Sequence, residues 1–317
     1  MKQSELERQA KNFIISRSQT IEKIEETHIS TIYLTKQFAY KRKKPLFFGF
    51  LDYRTVEKRE EYCKKEVSLN QRLSNIYIGT EPIYLNGEII DWLVVMRRLK
   101  ENQMLESYLK TGLPDELIDS FIEKFYRFSL QKRSPEIDRF GDISVIESNW
   151  NENFQQTEDQ IGSTISREQF SKIKESVEKF CSKKELFKER VDMGAIIDGH
   201  GDIRIEHIYF EKDQAYLFDC IEFNDRFRYQ DRLLDFAFLL MDLEYNGYGE
   251  ISTIMFGKYC KRFNEKGVDN LCDFYKCYRA YVRGKVEGFM YKEGKNEKNL
   301  KRAIDYFRLS EQYADRF

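Results

Sequence analysis

Proline and histidine are both scarce, with four and three copies in 317 residues. So few prolines, with no Gly/Ser-rich tract and no internal repeat, leave no low-complexity linker. The six cysteines (Cys63, Cys181, Cys220, Cys260, Cys272, Cys277) form no CxxC pair. That excludes metal-finger spacing, and a chain of this length does not need a disulfide scaffold, so reduced thiols are expected. The longest strongly apolar run, FAFLLM, is far too short to span a bilayer. The opening residues, MKQSELERQAKNFI, lack the apolar stretch of a signal peptide, so a cytoplasmic protein is expected. Charge of one sign is also missing: Lys and Arg number 53 against 54 Asp and Glu, a formal charge of -1. Nucleic-acid binders carry a basic excess or stripe, and nothing here asks for such a partner or for a membrane.

What is present is a chain that can build a core, 41% hydrophobic and 15% aromatic. Apolar positions Leu6, Phe13, Ile14, Ile21 and Ile24 predict a helix over roughly Glu5 to Glu26. HISTIYLTKQFAYKRKKPLFF reads as two antiparallel strands, the second being FAYKRK. Residues from about Thr55 to Leu73 turn helical, and EPIYLNGEIIDWLVVMRRL reads as a strand pair around an Asn-Gly turn. Beyond Arg98 helices dominate, over Glu116 to Leu130, Arg167 to Lys188, Asp231 to Glu244, and Asn270 to Phe317 with a break near Gly294. Only AIIDGHGDIRIEHIYFEKDQAYLFDCIEFN is rich in short strands there. The expected fold is α+β and two-lobed, with a small β-rich N-terminal lobe (1–98) and a larger, mainly helical C-terminal lobe (99–317).

Two of the three histidines flank acids in that β-rich island, as His200-Gly201-Asp202 and, five residues after the aspartate, His207. This is the spacing H-x-D-x-x-x-x-N of a kinase-type catalytic loop, with His207 in place of the asparagine. In such loops the Asp accepts the proton of the substrate hydroxyl and the Asn holds a metal ion. A following strand offers Glu222 as the acid that binds the metal, with Asp219 on the opposite face as the alternative. On FAYK, Lys41 resembles the lysine that binds nucleotide phosphates, and Lys43 shares its strand face. Tyr62, Glu66, Leu69 and Leu73 share one helix face, and a carboxylate on an apolar stripe wants a cation, so a Lys41–Glu66 pair is expected. No G-x-G-x-x-G stands between the first strands; Ser30 and nearby backbone amides are candidate phosphate contacts instead.

These residues, with the blocks ETHISTIYL, AYKRKKPLFFGFLDYRT, HGDIRIEH, FDCIEFNDRFRYQDRLLDFAFLLMDL and YRAYVRGKV, resemble the aminoglycoside phosphotransferase-like family. The resemblance is to an uncharacterised bacterial branch of that group, and it runs from about Glu26 to Val286. It implies a protein-kinase-like fold without a glycine-rich loop, ATP bound between two lobes, and γ-phosphate transfer to an acceptor hydroxyl. Within it Asp202 matches the catalytic base, Lys41 and Glu66 the nucleotide-lobe pair, and Glu222 the metal ligand, although the wider family uses Asp there. Asp235 matches the structural acid that opens a buried helix, and an Asp flanked by Leu234, Ala237, Phe238 and Met241 needs hydrogen bonds that the catalytic loop's backbone offers.

The implied partners are ATP, a divalent cation and a small hydroxylated acceptor. Magnesium prefers oxygen ligands and imidazole suits transition metals better, which leaves three readings of His207. It ligates a softer ion such as manganese, it orients Asp202, or Glu206 supplies the oxygen in its place. The first implies relaxed metal choice, with manganese serving at least as well as magnesium. Arg204 is expected either to steady the transferred phosphoryl group or to pair with Glu206. Arg226 and Arg228 are read as contacts to phosphate or ion-pair partners of Asp225 and Asp231, and Arg279 and Arg283 as acceptor-pocket cations or a solvated helix face. Two competing functions stand beside the phosphotransferase: a pseudokinase-like module that binds nucleotide and a partner protein, and a protein kinase.

Overall fold

A computed structural model describes residues 3–17, 19–49, 51–131 and 134–317. Its contacts divide the chain into two units, Met1–Leu117 with Glu206–Phe227, and Ile118–Ile205 with Arg228–Phe317. The sequence reading placed one boundary near Arg98. The contact division follows Leu117, and a later segment, 206–227, returns to the first unit.

The first unit opens with α1 (Gln3–Ser16), β1 (Ile21–Glu26), β2 (Ser30–Thr35), β3 (Phe38–Lys43) and a short hairpin of β4 (Phe47–Phe48) and β5 (Leu51–Asp52). It continues with α2 (Val56–Gln71), β6 (Tyr77–Leu85), β7 (Glu88–Arg97) and α3 (Leu105–Thr111). The chain then enters the second unit through α4 (Asp115–Ser129), α5 (Ile143–Thr157), α6 (Arg167–Cys181), α7 (Lys184–Asp192) and β8 (Ile196–Asp198). A hairpin of β9 (Ile208–Glu211) and β10 (Gln214–Leu217) belongs to the first unit again. The rest is β11 (Tyr229–Asp231), α8 (Arg232–Tyr245), α9 (Gly249–Phe263), α10 (Asp269–Gly294) and α11 (Glu297–Ala314).

In the first unit five antiparallel strands lie in the order β1-β2-β3-β7-β6. Asn86 and Gly87 take φ of 53° and 86°, the left-handed pair that a tight two-residue hairpin between β6 and β7 needs. Leu6, Ala10 and Ile14 of α1 pack with Tyr33, Tyr40, Leu93 and Val95 in one core cluster. Cys63 and Val67 of α2 pack with Ala39, Trp92, Val94 and Met96 in another. Helix α1 is shorter than its periodicity predicts. Ile21 and Ile24 continue the helical spacing of Ile14, but they lie on β1, whose pairing with β2 satisfies the backbone instead.

The second unit is helical around α8, which is buried along most of its length. The single helix expected over Arg167 to Lys188 is two, α6 and α7, parted at Ser182 and Lys183. Ser166 and Gln169 cap α6 reciprocally. Trp150 packs against Phe154, Phe274, Tyr278 and Tyr281. Arg190 joins Asp231, the N-cap of α8, at 2.7 Å, and it also binds Glu265, which Arg232 reaches at 2.9 Å. All four of these charged residues are buried. Among the described residues no helix is long and apolar enough to cross a membrane.

Glu265 therefore answers two buried guanidinium groups. Glu265→Ala is expected to lower unfolding stability by about 3–5 kcal/mol, because it leaves charge buried without its partner. Urea titration measures this, and a loss under about 1 kcal/mol would mean that the cluster is not one unit.

Candidate functional site

Strand β3 buries three consecutive cations, Lys41, Arg42 and Lys43. Alternation sends Arg42 to one face of the sheet and both lysines to the other. Arg42 meets Asp91 at 3.3 Å and Glu7 of α1 at 3.5 Å. Lys41 and Lys43 both meet Glu66 of α2. Lys41 Nζ lies 2.9 Å from Glu66 Oε1 and Lys43 Nζ lies 2.5 Å from Oε2. A buried carboxylate needs cationic partners, and here one carboxylate has a lysine on each oxygen. The expected Lys41–Glu66 pair is thus present, with a second lysine behind it.

The cluster continues in both directions. Lys41 Nζ also lies 2.6 Å from Asp219 Oδ1. Lys43 Nζ also bonds Glu222, whose Oε1 accepts from the hydroxyl of Tyr53. Burial opposes the charge of each lysine, but Asp219 and Glu66 hold the pKa of Lys41, and Glu222 and Glu66 that of Lys43, above the usual lysine range. Burial pushes Glu222 up, and the neighbouring lysines more than offset it, so its carboxyl lies below the ordinary range.

This geometry bears on two of the expected site residues. Glu222 is buried against Lys43 and Tyr53 and is not an acid beside His207. The acids beside His207 Nε2 are Asp219, whose Oδ2 lies 3.7 Å away and whose side chain is 40% exposed, and Glu206, whose Oε1 lies 3.9 Å away. Asp219 also sits outside β10 in a left-handed turn with φ 64°, a strained conformation that recurs at functional sites. Lys43, expected to share phosphate binding, is fully enclosed, with its side chain 0% exposed. Ser30 is buried; its amide donates to Thr27 Oγ1 at 2.9 Å, and its own hydroxyl oxygen has no hydrogen-bond partner.

Asp202 belongs to the second unit, in the loop between β8 and the crossing at Ile205. Asp235, in the first turn of α8, carries that loop. Its carboxylate accepts from the amides of His200 at 2.7 Å and Gly201 at 2.9 Å, and from Gln230 at 2.9 Å. Burial pushes its pKa up to about 6, against the pull of Arg279 and the two amides. His200 Nδ1 accepts from the Asp202 amide at 3.2 Å, and Asp242 takes the amide of Ile205 at 2.9 Å. Gly199 is required by close approach, since a Cβ there would stand 2.5 Å from Asp235 Oδ2.

Arg204 pairs with Asp202. Its Nε and Nη2 lie 2.9 and 3.0 Å from the two carboxylate oxygens. Arg228 pairs with Asp198 at 2.8 Å, while Asp225 meets Lys65 and Asp231 meets Arg190. Arg279 is neither solvated nor open. It bonds Gln230 at 2.6 Å and lies over the ring of Phe238.

Sequence reading missed Tyr53, Asn70, Tyr77 and Asp242. Asn70 accepts from the amide of Cys220 at 3.0 Å and donates to the carbonyl of Glu66 at 2.9 Å, and Tyr77 accepts from the amide of Asp219 at 3.2 Å. Asn70 is four residues after Glu66, and Asp242 seven after Asp235, spacings that put each on its partner's helix face. Those signals were legible. Nothing in the sequence marks Tyr53.

Among the described residues no three His, Cys, Asp or Glu side chains come together as a metal site. Asp219 with His207 is a smaller donor set. It fits a cation that takes one protein carboxylate and completes its shell with nucleotide phosphate oxygens.

No family profile matches the chain. It is 36% identical over 282 residues to an uncharacterised protein of Mycobacterium tuberculosis and to one of Mycobacterium bovis, a match covering 86% of this chain. The matched region is 56% of those proteins, so the chain spans about half the length of the curated relatives it matches. Among solved structures, an aminoglycoside phosphotransferase in complex with GDP and kanamycin superposes with a TM-score of 0.57 at 14% identity, over 97% of this chain and 99% of that one. An ADP-bound aminoglycoside phosphotransferase superposes at 0.51, with 16% identity, over 96% and 98%. A choline/ethanolamine kinase family protein of Mesorhizobium loti superposes at 0.52, with 10% identity, over 97% and 98%.

Two predictions follow from the packing of these residues. Gly199→Ala should cost about 1–3 kcal/mol of stability through the clash with Asp235, whereas Gly257→Ala, on open surface of α9, should be neutral or gain up to about 1 kcal/mol. Equal effects in denaturant titrations would remove the close-packing claim. A carboxyl with a lowered folded pKa stabilises above its ordinary value near 4.5 and loses that contribution as pH falls through the folded value. The stability gap between wild type and Glu222→Gln should therefore be open at pH 7 and narrow below about pH 4.5. A gap that widens on acidification would reverse the assignment.

Proposed function

The chain has the kinase-like fold of the aminoglycoside phosphotransferases and choline/ethanolamine kinases, and from that premise we propose an ATP-dependent phosphotransferase that moves the γ-phosphate to a hydroxyl of a small molecule. The observation that carries the reading is Lys41, a buried lysine kept charged between Glu66 and a partly exposed Asp219. A lysine placed in this way suits nucleotide phosphates, and the adjacent acid suits a cation bound to them.

Each unit has a separable task. In the first, Lys41 binds α- and β-phosphate oxygens while Glu66 orients it. Asp219 and His207 would hold a magnesium or manganese ion, which when bound supplies positive charge to the phosphates. In the second, Asp202 orients the acceptor hydroxyl and takes its proton. The hydroxyl oxygen forms a bond to the γ-phosphorus as the bond to the β-γ bridging oxygen breaks, leaving ADP and a phosphate monoester. His200 and Asp235 position Asp202 without touching substrate.

A second reading, a nucleotide-binding module without transfer, is favoured by one observation. Both oxygens of Asp202 are engaged by Arg204, and these charge-assisted bonds compete with acceptance of a hydroxyl proton.

Labelled γ-phosphate should pass from ATP into a small molecule of a bacterial extract, and Asp202→Ala should lower the rate roughly 10²–10⁴-fold, the usual worth of a general base. Label on protein would point to a protein kinase instead, and nucleotide binding with no transfer would establish the second reading. Manganese is expected to support transfer at least as well as magnesium. Activity confined to magnesium would count against ligation by His207.

A further inference from the structure

Five charged groups form a continuous line inside the first unit: Asp219, Lys41, Glu66, Lys43 and Glu222. The outer end at Asp219 is 40% exposed, and exposure falls inward to 9% at Lys41, 0% at Glu66 and Lys43, and 5% at Glu222. Groups that meet a ligand belong to the open end. The closed end has another task.

We infer that Lys43 and Glu222 are a positioning pair for the nucleotide lysine, and that Glu222 is the counter-ion of Lys43 and not a metal ligand. The inference deepens the proposed function and rests on it for the nucleotide. Glu66 can turn away from Lys41 only by leaving Lys43, because its second oxygen lies 2.5 Å from that ammonium. Lys43 in turn is held by Glu222, by the hydroxyl of Tyr53 at 3.4 Å, and by the Tyr53 ring 4.9 Å from its nitrogen. Glu222 accepts from Tyr53 as well, so its Oε1 has two donors in an enclosed site.

The arrangement also explains why two lysines stand on one strand face. A single buried lysine between Glu66 and Asp219 would leave one oxygen of Glu66 without a cation, and such a carboxylate is costly in an enclosed site. With Lys43 present, α2 is tied through Glu66 to β3 on both oxygens. Asn70 adds a third tie, from α2 to the amide of Cys220 between Asp219 and Glu222. Helix α2, β3 and the segment 219–222 are thereby one mechanical unit, with the lysine that would meet phosphate at its open end.

The test measures ADP binding by calorimetry against magnesium and manganese concentration, with urea unfolding in parallel, for wild type, Lys43→Met, Glu222→Gln, their double variant and Asp219→Asn. Lys43→Met should weaken ADP binding about tenfold. The double variant, which removes one charge of each sign, should recover part of that loss and should be less destabilised than the two single changes combined. Glu222→Gln should leave the metal concentration for half-maximal binding within about twofold of wild type, whereas Asp219→Asn should raise it 10–100-fold, as loss of a metal ligand does. A metal shift for Glu222→Gln as large as that for Asp219→Asn would overturn the assignment, as would strictly additive destabilisation by the pair. Unchanged ADP affinity in Lys43→Met would overturn the positioning role. A wild type that binds no nucleotide would remove the proposed function and the positioning role with it, while the urea cycle would still decide whether the ion pair exists. If Lys43→Met does not fold, the double variant and Glu222→Gln carry the decision.

Discussion

The carboxylate of Glu66 is the constraint from which the first unit is best understood. It is fully buried, and an isolated charge in that position would be untenable. Two ammonium groups on one strand face resolve it, one on each oxygen. They in turn require Asp219 and Glu222 from a segment almost 180 residues later. The return of 206–227 to the first unit follows from this charge pairing as much as from the β9–β10 hairpin and its apolar packing. A lysine held in such a cluster stays charged at any physiological pH, which is the property a phosphate-binding group needs.

The second unit solves a different problem with similar means. The loop around Asp202 must present a carboxylate while its own amides are buried. Helix α8 supplies two acids on one face, Asp235 for the amides of His200 and Gly201 and Asp242 for that of Ile205. The helix is otherwise almost wholly apolar, so those acids are stable only because the loop satisfies them. Loop and helix specify one another, and Gly199 is the place where their approach leaves no room for a side chain.

Much of this was legible without coordinates. The strand pair around Asn86-Gly87, helix α2 and the need of Glu66 and Asp235 for partners came from local pattern, because period, turn chemistry and lone acids on apolar stripes are short-range signals. The family resemblance named Lys41 and the His200–Asp202 loop as those partners. What failed was long-range. Glu222 and Asp219 are three residues apart, and which one faces outward depends on a left-handed turn at Asp219 that alternation along a strand cannot reveal. Lys43 had the composition of a solvated strand end, and only the distant Glu222 and Tyr53 make it a core residue. The helix running on through Ile24 failed for a related reason: Ile21 and Ile24 satisfy a helical period, and pairing with β2 decides otherwise.

The central claim is that the Glu66 cluster exists to hold one lysine for nucleotide phosphate. Calorimetric binding of ATP with manganese to wild type and to Lys41→Met tests it most directly, with circular dichroism to establish that both are folded. The account predicts that wild type binds and that folded Lys41→Met binds at least tenfold more weakly. Equal affinities in two folded proteins would contradict it, and would leave the buried cluster as a device of stability alone.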